Sequence, residues 1–309
     1  MFALPQTDIG DVWPYHDIVS GITHLYFLRA ITGTGRHWSI GHLTSKDLIH
    51  WEDHGIVLAP GEDGAFDDLG LATGSVIQHD GQYYMAYTAH SKRDEPKAGS
   101  IGLARSTDLY HWKKIVTQPI VTLDEQYYES HITGSRPFLH WRDPCLLKQP
   151  DGFHMFLCAR RLDGPIKTRG TVAHLISDDL LHWKTLPPLQ VQPMCEEMEC
   201  PLVYPINGRF YLLFSTHRDL LDSAVNPNEP VPEGGLFCQV SEALEGPYRA
   251  RGWGRIDMDH HAGYFYAHQL INRPVDYHLI GTVNPKNQLP YISDPIKVDI
   301  RPDRIGVNT

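Results

Sequence analysis

Ser45-Lys46-Asp47-Leu48-Ile49-His50-Trp51 returns as Ser106-Thr107-Asp108-Leu109-Tyr110-His111-Trp112 and again as Ser177-Asp178-Asp179-Leu180-Leu181-His182-Trp183. A decayed fourth copy, Ser241-Glu242-Ala243-Leu244, is followed by Pro247-Tyr248. The copies start 61, 71 and 64 residues apart. A second element precedes each of them: a turn and then an aromatic-rich run, as in Gly81-Gln82-Tyr83-Tyr84-Met85-Ala86-Tyr87, Gly152-Phe153-His154-Met155-Phe156-Leu157 and Gly208-Arg209-Phe210-Tyr211-Leu212-Leu213-Phe214. His24-Leu25-Tyr26-Phe27-Leu28 fits before the first copy, and Gly263-Tyr264-Phe265-Tyr266-Ala267 marks a fifth unit. Such short apolar and aromatic runs, bounded by Gly, Asp and Asn, read as strands. A fixed period of this length is the signature of a repeat architecture. Four strands per unit and five units describe a five-bladed β-propeller of four-stranded antiparallel blades, all-β, which is expected to fill residues 1–309 as one domain without a C-terminal β-sandwich. Radial repetition of this kind leaves only short sheet edges. Trp51, Trp112 and Trp183 are expected to pack between blades.

Composition agrees with many short strands joined by tight turns: 26 Gly, 23 Pro, 15 Tyr and 7 Trp in 309 residues. A chain of this length buries enough surface to fold without disulfides or a structural metal. The formal charge of −10 and the absence of a basic run argue against nucleic acid and anionic membranes as partners. The five cysteines, Cys145, Cys158, Cys195, Cys200 and Cys238, are odd in number and fit no zinc spacing. They are expected to be buried and reduced, which suggests the cytoplasm. Met1–Gly10 lacks the basic and apolar regions of a signal peptide.

In a propeller the first strand of each blade lines the central channel. Here these strands start near Asp11, Thr73, Asp143, Glu199 and Asp259–Gly263. Three starts carry a carboxyl group: Asp11, Asp143 and Glu199. Glycosidic cleavage needs two carboxyls flanking the scissile bond, one protonated and one ionised. Burial against apolar neighbours can keep one of them protonated, and Glu199 sits between Met198 and Cys200-Pro201.

At these residues the sequence resembles glycoside hydrolase family 32, the invertase and fructan hydrolase family, over about residues 8 to 290. Arg142-Asp143-Pro144 is similar to the family's Arg-Asp-Pro, Glu199-Cys200-Pro201 to its Glu-Cys-Pro, Thr73-Gly74-Ser75 to its Ser-Gly-Ser and Phe265-Tyr266-Ala267 to its Phe-Tyr-Ala. The resemblance implies a five-bladed propeller, with Asp11 as nucleophile, Asp143 as transition-state stabiliser and Glu199 as general acid/base. It implies hydrolysis of β-fructofuranosides or related furanosides, small carbohydrate substrates, with retention at the anomeric carbon through a covalent glycosyl-enzyme intermediate. Trp13 is expected as a sugar platform, with Ser75, Arg142 and Tyr266 as further binding residues. The family's Trp-Met-Asn-Asp-Pro-Asn-Gly is replaced by Gly10-Asp11-Val12-Trp13-Pro14, so sucrose itself is not implied. An inverting arabinofuranosidase or xylosidase of the family 43 type and a non-catalytic glycan-binding propeller are the alternatives; a fructosyl transferase is a variant of the first reading. No His, Asp or Glu spacing suggests a metal, and no cofactor is expected. Oligomeric state is left open by the sequence.

Overall fold

A computed structural model describes residues 1–33, 37–93, 99–258, 265–284 and 289–307. Five antiparallel sheets follow one another along the chain. Blade 1 comprises Thr7–Asp17, Ile22–Ile31, Ser39–Ser45 and Glu52–Leu58. Blade 2 comprises Gly70–His79, Gln82–His90, Ser100–Ser106 and Lys113–Lys114. Blade 3 comprises Arg142–Gln149, Gly152–Arg160, Gly170–Ser177 and Lys184–Leu186. Blade 4 has three strands, Glu199–Ile206, Arg209–Thr216 and Gly235–Ser241. Its outer edge is reduced to the bridges Val240↔Arg249 and Phe237↔Arg255. Blade 5 comprises Phe265–Arg273, Asp276–Val283, Ile296–Arg301 and Arg304–Val307, with Tyr291–Ile292 beside its second strand. The bridge Phe2↔Ile292 fastens the N-terminal residues to this last blade.

The expected five-bladed all-β propeller is therefore present. Two details differ from the sequence reading. The fourth blade, where the repeat has decayed, has lost its regular fourth strand. The run Phe265-Tyr266-Ala267 begins the inner strand of blade 5, and the aromatic strand after it is Asp276–Val283. Asp259–Gly263, expected at the start of that blade, lie outside the described residues. Among the described residues, no helix is long and apolar enough to cross a membrane.

The repeat encodes a turn. Ser45 Oγ accepts the N–H groups of Asp47 and Leu48, and Asp47 Oδ1 accepts those of Ile49 and His50. The same bonds recur at Ser106/Asp108 and Ser177/Asp179. Leu48, Leu109 and Leu180 take φ of 67°, 68° and 66° and are buried. The left-handed backbone costs energy for a non-glycine residue, and the anchoring bonds with the buried leucine offset it. The Trp112 and Trp183 indoles donate to the carbonyls of Leu109 and Leu180. Trp112 meets Tyr26 of blade 1 edge-on, so it packs between blades as expected. Hairpins close through two-residue turns at Asp80-Gly81 and Asn207-Gly208, with positive φ at both positions. That geometry matches the strand twist and favours Asp-Gly and Asn-Gly.

Apolar layers lie between neighbouring blades. Trp13, Tyr26, Met85 and Tyr87 fill the space between blades 1 and 2. Val12, Phe27, Ile271 and Ile280 fill that between blades 1 and 5. The five cysteines are all buried and unpaired.

Candidate active site

Each of the five inner strands breaks register near its start: between Ile9 and Val12, Ala72 and Gly74, Arg142 and Cys145, Glu199 and Leu202, and Tyr266 and Gln269. A bulge bends a strand and re-aims its side chains. Asp143, Cys200 and Ala267, the first residues inside three of these bulges, have φ of 61°, 49° and 52°. Strained non-glycine backbone persists where the surroundings over-determine it. The surroundings here are hydroxyls from adjacent blades. The Asp143 N–H donates to Thr88 Oγ1 at 2.8 Å, and the Ala267 N–H donates to Ser215 Oγ at 2.8 Å. Thr282 Oγ1 donates to the Gly10 carbonyl. At the junction of blades 3 and 4 the residue in the same position is Cys158, and the Cys200 N–H is received instead by Asp143 Oδ2 at 3.1 Å.

This junction brings the three acids together. Thr73 Oγ1 donates to Asp11 Oδ2 at 2.8 Å, and Cys200 Sγ lies 3.8 Å from the same oxygen. Arg142 Nε is 3.4 Å from Asp143 Oδ2, and Arg142 Nη2 is 3.0 Å from Glu199 Oε1. Tyr266 OH donates to Glu199 Oε2. Among the described residues, both bonds to Asp11 and both to Asp143 use Oδ2. Beside them a cleft of about 380 Å³ opens on Asp11 and Tyr266, with Trp38, Pro290 and Asn284 in its walls. That volume is in the range of small-molecule sites.

The electrostatics follow from burial. Desolvation, reinforced by the charge of Glu199, raises Asp11 to about 6, against the Thr73 hydrogen bond and Arg142. Desolvation raises Asp143 to about 7, with Arg142 opposing it and Glu199 and Asp11 adding to it. A group of carboxyls this close cannot all be ionised cheaply, which is the condition for dividing acid and base roles among them.

The sites expected from sequence divide into two groups. Asp11, Asp143, Glu199, Arg142 and Tyr266 converge. Trp13 does not: it is 0 % exposed, facing Tyr26 in the layer between blades, because its place on the strand points it away from the channel mouth. The aromatic side chain of blade 1 that does line the cleft is Trp38, which the sequence reading missed and which only its aromatic character ahead of the third strand signals. Ser75 accepts the Leu146 N–H at 2.9 Å and so ties blade 2 to blade 3. The residue of its motif that reaches the acids is Thr73, one side-chain pair nearer the mouth. Nor do the three acids hold matching repeat positions. Glu199 precedes its bulge, Asp143 is first within its own, and Asp11 is second.

Also unforeseen is Glu197, fully buried two residues before Glu199. It receives Arg142 Nη2 and Arg136 Nε, the latter at 3.2 Å, and lies 3.1 Å from His140 Nδ1, which is also 3.2 Å from Arg142 Nη1. Its sequence signal was the spacing Glu197-Met198-Glu199, which places both acids on one side of an extended segment. His140, Cys158 and Glu197 offer three metal-ligating atoms within 4.8 Å of one another. Two guanidiniums already occupy the carboxylate, and burial pushes the Cys158 thiol well above its ordinary range, which keeps it protonated. A protonated thiol is a poor ligand, so the trio reads as part of an ion-pair network.

The model of the glycosyl hydrolases family 32 N-terminal domain matches residues 18–279, a span that holds Asp143, Glu199 and Tyr266 and begins after Asp11. A sucrose-6-phosphate hydrolase of Escherichia coli is 28% identical over 225 residues, covering 68% of this chain and 43% of that protein. One from Vibrio alginolyticus is 30% identical over 181 residues, covering 56% and 33%. The chain thus spans less than half the length of these curated relatives. Among solved structures, a levansucrase of Bacillus subtilis superposes with a TM-score of 0.78 at 14% identity, covering 99% of this chain and 87% of the other. A β-fructofuranosidase of Bombyx mori in complex with sucrose gives 0.73 at 19%, covering 99% and 64%. At these identities the likeness is one of fold.

Proposed function

The chain belongs to glycosyl hydrolase family 32, and on that premise we propose that it is a retaining glycoside hydrolase of β-fructofuranosides, with residues 1–309 as one catalytic propeller. The observation that carries this reading is the meeting of Asp11, Asp143 and Glu199 around Arg142 and Cys200, from three blades and across almost two hundred residues of chain. In the first step Asp11 Oδ1 attacks the anomeric carbon, the bond to the leaving oxygen breaks, and Glu199 gives that oxygen a proton. Water then attacks the same carbon, Glu199 takes its proton, and Asp11 leaves as a carboxylate. Two inversions give net retention. Asp143 accepts hydrogen bonds from sugar hydroxyls, and these strengthen as charge develops on the ring. Arg142 holds Glu199 and Asp143 in place, and Tyr266 fixes the second Glu199 oxygen. Trp38 and Tyr266 border the sugar cleft. We place the protein in a reducing compartment, the cytoplasm, on its five buried unpaired thiols.

The test is turnover of sucrose and of sucrose 6-phosphate with the product anomer followed by NMR. The β-fructofuranose anomer must appear first. Initial release of the inverted anomer means that a water, not Asp11, attacks the sugar. Asp11→Asn and Glu199→Gln should each lower kcat by roughly 10³-fold or more with thermal unfolding unchanged in character. Near-parental turnover by either variant removes that residue from the scheme. Saturable binding without turnover of any furanoside would instead make the propeller a glycan-binding module.

A further inference from the structure

We propose that Glu197 is a positioning residue for the acid/base chemistry: its buried carboxylate anchors Arg142 so that the guanidinium is presented to Glu199 and Asp143 together. The inference rests on the hydrolase reading for its kinetic consequence and on geometry alone for its structural one. Arg142 is the only cation within ion-pair distance of either Glu199 or Asp143 among the described residues. One guanidinium serving two carboxyls on different blades must be held from a third side, or it will favour one partner. Glu197 supplies that third side, since the same Arg142 Nη2 reaches Glu197 Oε1 and Glu199 Oε1. Phe138 lies over the guanidinium face, its ring centroid 5.1 Å from Cζ.

Glu197 is itself fixed. Burial alone would raise its carboxyl, but Arg142 and His140 outweigh that and hold it well below the usual carboxylate range, so it is an anion at any working pH. An anion with no exposed surface is tolerated only when well paired, and here two guanidiniums, Arg142 and Arg136, converge on it. One of them, Arg136, comes from the segment before blade 3. That segment is tied down by Ser135, whose N–H and hydroxyl donate to Glu196 at 2.7 and 2.8 Å, and by Thr133, which donates to Glu129 at 2.8 Å. Glu196 and Glu197 thus clamp the segment from adjacent positions, and the second does so through the network that holds the acid/base. A residue that only filled space here would not need a charge.

The test separates a positioning role from a structural one by leaving group. Sucrose expels an alkoxide that must be protonated as the bond breaks, whereas p-nitrophenyl β-fructofuranoside expels a phenolate that leaves unaided. kcat/KM reports this bond-breaking step for both. Glu197→Gln should lower kcat/KM about 30-fold on sucrose and under about 3-fold on the aryl fructoside, a fraction of what direct loss of a general acid costs. Glu197→Asp, which keeps the charge on a shorter tether and is the safer variant for folding, should show the same split at a smaller size. Equal losses on both donors, or none on either, would overturn the proposal. A parent protein that turns over neither donor would count against the hydrolase reading rather than this one. The placement is then decided by a crystal structure of Glu197→Gln, in which Arg142 must leave Glu199 or Asp143; an unmoved guanidinium would overturn it.

Discussion

Asp11 and Asp143 are stored in the folded protein against a penalty that depends on pH. In the unfolded chain both titrate near 3.8, while the fold raises them to about 6 and about 7. Between those limits the native state binds more protons than the unfolded one, so their contribution to stability falls as pH rises and is lowest above about 7. The buried histidines His24, His42 and His174, lowered by desolvation to about 4, 3 and 4, act in the opposite sense below their ordinary value of 6.5. The comparison must therefore be made between variant and parent at each pH. Asp143→Asn, which keeps an acceptor for the Cys200 N–H, should raise the melting temperature at pH 8 and lose that advantage by pH 4, as thermal scans would read. An advantage that is independent of pH would mean that burial is not its source. Kinetics see the same residues differently. On the proposed scheme Asp11 must be ionised to attack, so kcat/KM should fall on the acid side near pH 6. Thr73→Val removes a bond that favours the anion and should move this limb to higher pH, while Thr73→Ser should leave it in place.

At the scale of the element, two local devices do different work. The Ser-x-Asp-Leu turn ends the third strand of three blades with no contact to the site. Ser106→Ala removes two acceptor bonds from a buried position and should cost about 1–2 kcal/mol in urea unfolding, with kcat/KM unchanged. The bulge at the start of each inner strand makes the site. The turn was legible because its residues are contiguous and recur with the same letters. The bulges were not, because an extra residue in a ladder is a property of the pairing partner and not of the strand's own sequence. For that reason the sequence placed the inner-strand starts near Asp11, Thr73, Asp143 and Glu199, where the strands begin at Thr7, Gly70, Arg142 and Glu199, and implied equivalent positions for the acids. It also turned Trp13 toward the sugar, when the bulge before Val12 turns it into the layer between blades 1 and 2.

At the scale of the whole molecule, closure of the ring is what makes the site possible. The acids come from blades 1, 3 and 4, so any opening between the last blade and the first releases Asp11 from the others. Phe2 bridges to Ile292 through two backbone hydrogen bonds of 3.0 and 2.8 Å, and its side chain packs on the cluster shared by blades 5 and 1. Phe2→Ala should lower unfolding free energy by about 1–2 kcal/mol, with kcat/KM intact below the transition; a loss of activity well below it would mean that the ring opens locally before it unfolds. The repeated heptads and the aromatic strands determined by themselves the propeller and its five units, and the contiguous Arg-Asp-Pro and Glu-Cys-Pro motifs singled out Asp143 and Glu199, while Asp11 was signalled only by its place near the start of the first blade. Tertiary structure alone decided that Thr73 and not Ser75 touches Asp11, that Trp38 and not Trp13 borders the cleft, and that Glu197 stands behind Arg142. Those are contacts between blades, and their geometry depends on how far each bulge shifts its strand against a neighbour distant in the chain.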